Sequence, residues 1–303
     1  MKKTKLIIGT RGSKLALIYA EKVKDKLGEF FSDEIKLKKI VTTGDQHQTK
    51  RLSDIGGKGL FAKQIEKELI DGSIDLAVHA LKDMPTIQTQ NLLTNSFLKR
   101  NSPNEILISK QNIKFEELQP NSVIGTSSYR REYQLKNKRS DLIYKVIRGN
   151  IDTRIQKLEN GEYDAILLSK AGIIELNLQD KISQEFTVEE LTPCAGQGII
   201  AIQCRSDDEE IKKILEKINH NETRIIAKAE REVLKVLEGD CDTAVGVYAK
   251  VIENKIDLTA ELFSVDGKQR YFIKKTIDKE RIIDISKEVG EQLKLSSKGS
   301  YKN

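Results

Sequence analysis

The stretch "GTSSYRRE" (125–132) decides the fold class. It closes the apolar run "SVI" and opens a helical stretch over about 128–138. Thr126, Ser127 and Ser128 offer hydroxyls, the helix start offers N–H groups with no intrahelical partner, and Arg130 and Arg131 add fixed positive charge. A strand that feeds a helix through such a turn is a ready anion site. It is also the repeating joint of α/β folds, where ligands sit at the carboxyl ends of strands.

The same joint recurs to either side. "IRGNIDTR" (147–154) places Arg148 and Arg154 around Gly149-Asn150, and "GTRGSK" (9–14) supplies Arg11 and Ser13 at the end of the first strand. Five arginines at three strand ends suit a ligand with several carboxylates or phosphates. Between these joints, short β runs alternate with helical stretches. Strands are expected at "KLIIGT" (5–10), "IKLKKIV" (35–41), "DLAVHAL" (75–81), "ILISK", "SVIGTS", "YKVIRG" and "DAILLS". Helices are expected from Ser13 to about Phe30, at about 60–71, and near 153–160. The run 75–81 is apolar enough for a buried parallel strand. Lys82-Asp83 in "HALKDMP" (79–85) then fall where α/β sites carry their chemistry. An aspartate among arginines could accept N–H donors or stabilise a cation forming on a substrate.

"NSPNE" (101–105) and "LTPCAGQG" (191–198) read as crossings between two lobes, and "IIAIQC" as the strand after the second. The domains expected are 1–100 with 197–218, then 101–196, then 219–303. In the last, Asn219 is the expected N-cap with Glu222 as capping-box partner. Ile226, Ala229, Val233 and Leu237 form one apolar face of the helix, and Gly239 stops it. Three β runs (245–251, 255–263, 270–277) and a helix at about 279–295 complete a small α+β unit, with "SSKGSYKN" as a frayed tail.

Composition narrows the class. With 38% hydrophobic and 32% charged residues the chain is a globular protein, and no apolar run reaches the length of a membrane span. The basic start "MKKTKLIIGTRGSK" has too short an apolar run for a signal-peptide core, so a cytoplasmic location is expected. A net charge of +6 favours an anionic partner. Aromatic content of 5% and the lack of nucleic-acid-binding signatures argue against nucleic acid. Cysteines 194, 204 and 241 show no CxxC spacing, and the three histidines show no metal-ligand pattern, so neither a disulfide framework nor a metal is expected. No Walker sequence occurs, and "GGKGLF" (56–61) is read as a glycine-rich loop near the cleft. In "LEGDCDTAVG" (237–246), Cys241 lies between two aspartates, a setting that opposes the thiolate a turnover nucleophile needs.

Taken in order, "HALKDMP", "GTSSYRRE", "IRGNIDTR", "NGEYDAILL", "AGQG" and "LEGDCDTAVGVYA" resemble the porphobilinogen deaminase (hydroxymethylbilane synthase) family over nearly the whole chain. The resemblance implies two periplasmic-binding-protein-like lobes joined by two crossings, plus a third small α+β domain carrying a cofactor loop. It implies a dipyrromethane cofactor joined by thioether to Cys241. The implied activity, that of a transferase in tetrapyrrole (heme-type) biosynthesis, joins four porphobilinogen units head to tail with loss of ammonia and frees hydroxymethylbilane by hydrolysis. Asp83 matches the catalytic carboxylate. Lys82, Asp83, Thr126, Ser128, Arg130, Arg131, Arg154, Gln197 and Gly198 match cofactor-binding positions. Arg11, Ser13, Arg148, Gly149 and Arg154 match substrate-binding ones. A monomer with no nucleic-acid or membrane partner is implied as well. Lys14, Thr43, Asp240 and Ala244 depart from the usual residues, which bears on loop geometry. The competing reading is a two-lobed anion receptor with an added domain.

Overall fold

The structure is a computed structural model and describes residues 4–42, 59, 61–239 and 242–302. Cys241, Asp240, Thr43, His47 and most of "GGKGLF" lie outside the described residues.

The first sheet has the order β2-β1-β3-β10-β4, formed by β1 (Lys5–Arg11), β2 (Glu34–Ile40), β3 (Leu76–Ala80), β4 (Leu92–Phe97) and β10 (Ile200–Arg205). β1 runs parallel to β2 and β3, whereas β10 is antiparallel to β3 and β4. The expected parallel strand at 75–81 is therefore parallel on one side only. A second sheet repeats the plan: β5 (Glu105–Ser109), β6 (Val123–Gly125), β7 (Ile143–Lys145), β8 (Ala165–Ser169) and β9 (Gln184–Phe186), in the order β7-β6-β8-β5-β9. β6 is parallel to β7 and β8, and β5 is antiparallel to β8 and β9.

In both sheets the antiparallel inner strand is the one the chain enters from the other lobe. β5 follows the first crossing after β4, and β10 follows the second after β9. The two crossings lie against each other, with Asn101 N donating to Gly198 O at 2.8 Å. Gly198 is required there: its φ is +75°, and a Cβ would stand 2.5 Å from Ser102 O.

The third unit is the antiparallel meander β11 (Val245–Ile252), β12 (Lys255–Phe263) and β13 (Arg270–Asp278), covered by helices Asn221–Val236 and Ile282–Ser297. Ile256, Leu258, Ala260 and Leu262 of β12 are fully buried, in one core with Ala229 and Val233 of the first helix and Val289 and Leu293 of the second. Leu81, Met84, Phe97 and Ile199 of the first lobe and its crossings join that same core. Leu81 and Met84 thereby peg both sides of Lys82-Asp83, each contributing roughly 1.5–3 kcal/mol of apolar burial to hold that turn.

Two expectations are corrected. His220, not Asn219, caps the helix at Asn221, with Nδ1 accepting from Thr223 N at 3.2 Å. Asn219 is occupied elsewhere, because its Oδ1 accepts from Phe97 N at 3.1 Å. The tail is packed and not frayed: Tyr301 is 4% exposed and its hydroxyl donates to Leu237 O at 3.2 Å. Local sequence also missed β4, β9 and helices Lys170–Glu175 and Glu209–Ile218.

Candidate active site

A cavity of about 420 Å³ opens between the lobes. The first lobe supplies Arg11, Ser13, Lys14, Lys82 and Asp83, and the second supplies Arg131, Arg148, Gly149, Arg154 and Ser169. Each group is delivered by the end of a strand or the start of a helix. Ser13 Oγ accepts from Ala16 N at 3.3 Å and so caps helix Lys14–Gly28, whose first turn meets the cavity. With that cap in place, Lys14 occupies the first helical position without disturbing the helix start. Gly149 has φ +111°, and a Cβ there would lie 2.8 Å from Thr153. That turn sets Arg148 on one side of the glycine and lets Arg154 Nε donate to Gly149 O at 2.9 Å.

Six cations (Arg11, Lys14, Lys82, Arg131, Arg148, Arg154) line this space against two carboxylates, Asp83 and Asp152. The imbalance is felt within the fold. Burial, then Arg131 and Arg148, bring the Arg154 guanidinium well below its ordinary value, to about 10. Arg131 Nε–H is buried with no acceptor among the described residues. Asp83 is half-buried, with Oδ2 3.7 Å from Arg11 Nη1. The Arg11 guanidinium also stacks 3.9 Å from the Phe61 ring centroid. Lys82 Nζ reaches across the lobes, donating to Ser169 Oγ at 3.2 Å and to Gln197 Oε1 at 3.4 Å.

The remaining matched positions stand outside the cavity lining. Arg130 Nη1 donates to Thr192 O at 2.9 Å and Nη2 to Glu105 Oε1 at 2.5 Å, both in the interior. Ser128 Oγ caps helix Tyr129–Lys136 by accepting from Arg131 N, and Thr126 Oγ1 accepts from Ser128 N at 3.2 Å. Gln197, fully buried, ties Lys82 to the first crossing through Nε2–Pro103 O at 2.7 Å. Sequence reasoning passed over Phe61, Asp152, Ser169 and Glu105. Of these only Glu105 had a signal, as a charged residue heading the apolar run "EILIS".

Fold and cavity together define a two-lobed protein whose cleft, with six cations against two carboxylates, is built for an anionic ligand. Residues 6–213 match the family described as "Porphobilinogen deaminase, dipyromethane cofactor binding domain", and residues 225–295 match its C-terminal domain. The porphobilinogen deaminase of Chlorobium chlorochromatii is 44% identical over 88% of this chain and 85% of its own length. That of Geobacillus kaustophilus is 44% identical over 88% and 87%, and that of Staphylococcus carnosus 41% over 96% and 94%. A solved periplasmic binding protein of Salmonella typhimurium aligns at 13% identity with a TM-score of 0.43, over 71% of this chain and 93% of its own. The chain belongs to the porphobilinogen deaminase family.

The residues present fit the cofactor named for that family. A dipyrromethane carries four carboxylates, and the cavity offers an unaccepted buried N–H on Arg131 and a guanidinium destabilised by its cationic neighbours. Both are conditions an anion relieves.

Proposed function

We propose that this cavity is where porphobilinogen units are deaminated and joined head to tail, four in succession, with Asp83 as the catalytic residue and Arg11, Ser13, Arg148, Gly149 and Arg154 as the substrate-binding set. The observation that carries the reading is the half-buried Asp83 carboxylate set among Arg11, Lys82, Arg131, Arg148 and Arg154. Each porphobilinogen brings an acetate, a propionate, a pyrrole N–H and an aminomethyl group. Guanidiniums match the two carboxylates in planar, paired hydrogen bonds. Asp83 accepts the pyrrole N–H and stabilises the positive charge that spreads over the ring as ammonia leaves. The cofactor, bound as a thioether on Cys241, supplies the pyrrole carbon on which the chain is built.

Lys82, Asp83, Arg131 and Arg154 would hold that group from the cavity wall. Thr126 and Ser128 serve it by capping the helix that presents Arg131, Arg130 by packing behind it, and Gln197 and Gly198 by fixing Lys82 and the paired crossings. The domain limits 1–100 with 197–218, 101–196 and 219–303 are supported by the separate membership of the sheets. We read the protein as a cytoplasmic monomer without a nucleic-acid partner. No described helix is long and apolar enough to cross a membrane.

The test is Asp83→Ala. Intact mass should keep the pyrrole adduct while turnover falls by about 100-fold or more, as when a preorganised electrostatic group is removed. Asp83→Glu should retain a little activity, because the charge survives at shifted geometry. Near-normal turnover in Asp83→Ala removes the residue from the mechanism.

A further inference from the structure

We propose that Glu105 is a positioning residue: its carboxylate, bridging Arg130 and Arg131 behind the cavity wall, presents Arg131 to the carboxylates of the pyrrole ligands. This rests on reading the cavity as a carboxylate site. Glu105 opens β5 immediately after the first crossing and is 0% exposed. One oxygen accepts from Arg130 Nη2 at 2.5 Å and the other from Arg131 Nη2 at 2.7 Å. Burial alone would push its carboxyl up, yet Arg131 and Arg130 pull it down to about 2.

The two arginines are then treated differently. Arg130 is closed off on its other side by Thr192 O of the second crossing and by Gln134 Oε1 at 3.2 Å. Arg131 is fixed from behind by Glu105 and by Leu167 O at 3.2 Å, yet it lines the cavity, which Arg130 does not. The Nε–H of each is buried with no acceptor among the described residues, but only that of Arg131 belongs to a cavity-lining side chain. A carboxylate can form this bridge because both oxygens accept strongly. A glutamine could satisfy one arginine but would turn its NH₂ donors toward the other. Arg131 would then lose its rear anchor.

If Glu105 merely neutralised two buried charges, its loss would change stability and leave ligand affinity alone, or tighten it by raising the positive potential. A positioning role weakens affinity instead. The experiment uses Glu105→Gln holoenzyme. It measures KM and kcat for porphobilinogen per loaded molecule, inhibition by succinate as a non-reacting dicarboxylate, and thermal stability. Losing one charged hydrogen-bond alignment should raise KM and the succinate inhibition constant together by about 10-fold, with kcat within about two-fold of wild type. Glu105→Asp, which keeps the charge with shorter reach, should recover most of that loss and remain a few-fold above wild type.

Arg131→Leu should raise both constants, and Glu105→Gln with Arg131→Leu should be no worse than Arg131→Leu alone. Folded Glu105→Gln with wild-type constants, beside an impaired Arg131→Leu, overturns the positioning role and leaves the cavity reading intact. Unchanged constants together with full cofactor loading by intact mass in Arg131→Leu overturn the cavity reading itself. Should Glu105→Gln not fold, Glu105→Asp decides: raised constants at preserved kcat support the role, and wild-type constants overturn it.

Discussion

Removing a buried arginine ordinarily destabilises a protein, but Arg154→Met should stabilise this one. Burial, Arg131 and Arg148 together lower the Arg154 guanidinium from its ordinary value to about 10. At pH 7 it is still charged, so the folded state bears about 3 kcal/mol that the unfolded chain does not. Methionine keeps much of the apolar stem and removes the charge. It also removes the Nε–Gly149 O hydrogen bond of 2.9 Å, worth about 1 kcal/mol. The balance is a gain of about 2 kcal/mol, or a rise in Tm of about 4 °C for a chain this long. Thermal unfolding of ligand-free protein, with Cys241 also changed to Ser so that no adduct forms, measures it. The same substitution should weaken porphobilinogen binding, because the stabilised site has lost a carboxylate partner. A fall in Tm with unchanged KM would mean that Arg154 is a structural residue with well-satisfied surroundings, and the electrostatic account of the cavity would be wrong.

Two further outcomes are expected. Intact wild-type protein should exceed its sequence mass by two pyrrole units, and Cys241→Ser should fold without them; an active sample at the bare sequence mass refutes the tether. His79 is held neutral by burial, with Arg11 adding to the effect, so its imidazole drops from 6.5 to about 4. Between those pH values the unfolded chain binds a proton that the folded one does not, so stability should fall by up to about 3 kcal/mol as pH drops through that window. His79→Leu should flatten urea-measured stability from pH 6.5 to about 5.5, above the range where Glu105 begins to protonate in the unfolded state; an unchanged slope there assigns the acid loss elsewhere.

What the sequence disclosed was whatever depends on near neighbours. The strand-to-helix joints at Arg11, Ser128 and Gly149 were legible because hydroxyl caps, glycine turns and apolar periods act within a few residues. The division of labour between Arg130 and Arg131 was not. Adjacent residues on a helix point about 100° apart, and which one meets the cavity depends on where β5 and the second crossing sit. Thr126 and Ser128 looked like ligand hydroxyls, but the turn itself uses them as caps. Asn219 and His220 can both cap a helix, and the choice was made by Phe97, far off in sequence, whose N–H takes the asparagine. Tyr301 reads as part of a polar tail until Leu237 O is seen as its partner.

The wall of the cavity and the layer behind it hold guanidiniums in two conditions, and the difference predicts how the cofactor acts on stability. Arg130 and Arg131 share the buried Glu105 carboxylate, whereas Arg154 faces Arg131 and Arg148 and is destabilised by both. A fold that neutralised every arginine internally would be more stable and would have nothing left to offer a carboxylate. Here the missing anion is left for a ligand to bring. A covalent adduct brings its carboxylates at high effective concentration and never dissociates, so loaded protein should melt several degrees above Cys241→Ser. Burial of the pyrrole rings raises Tm as well, so the loaded and unloaded forms must be compared again in the Arg154→Met background. With the destabilised charge gone, the adduct has less to relieve, and the gap in Tm should shrink by up to about 6 °C, the electrostatic share of about 3 kcal/mol being removed. An equal gap in both backgrounds would show that the adduct's carboxylates act away from Arg154 and stabilise the protein through ring burial alone.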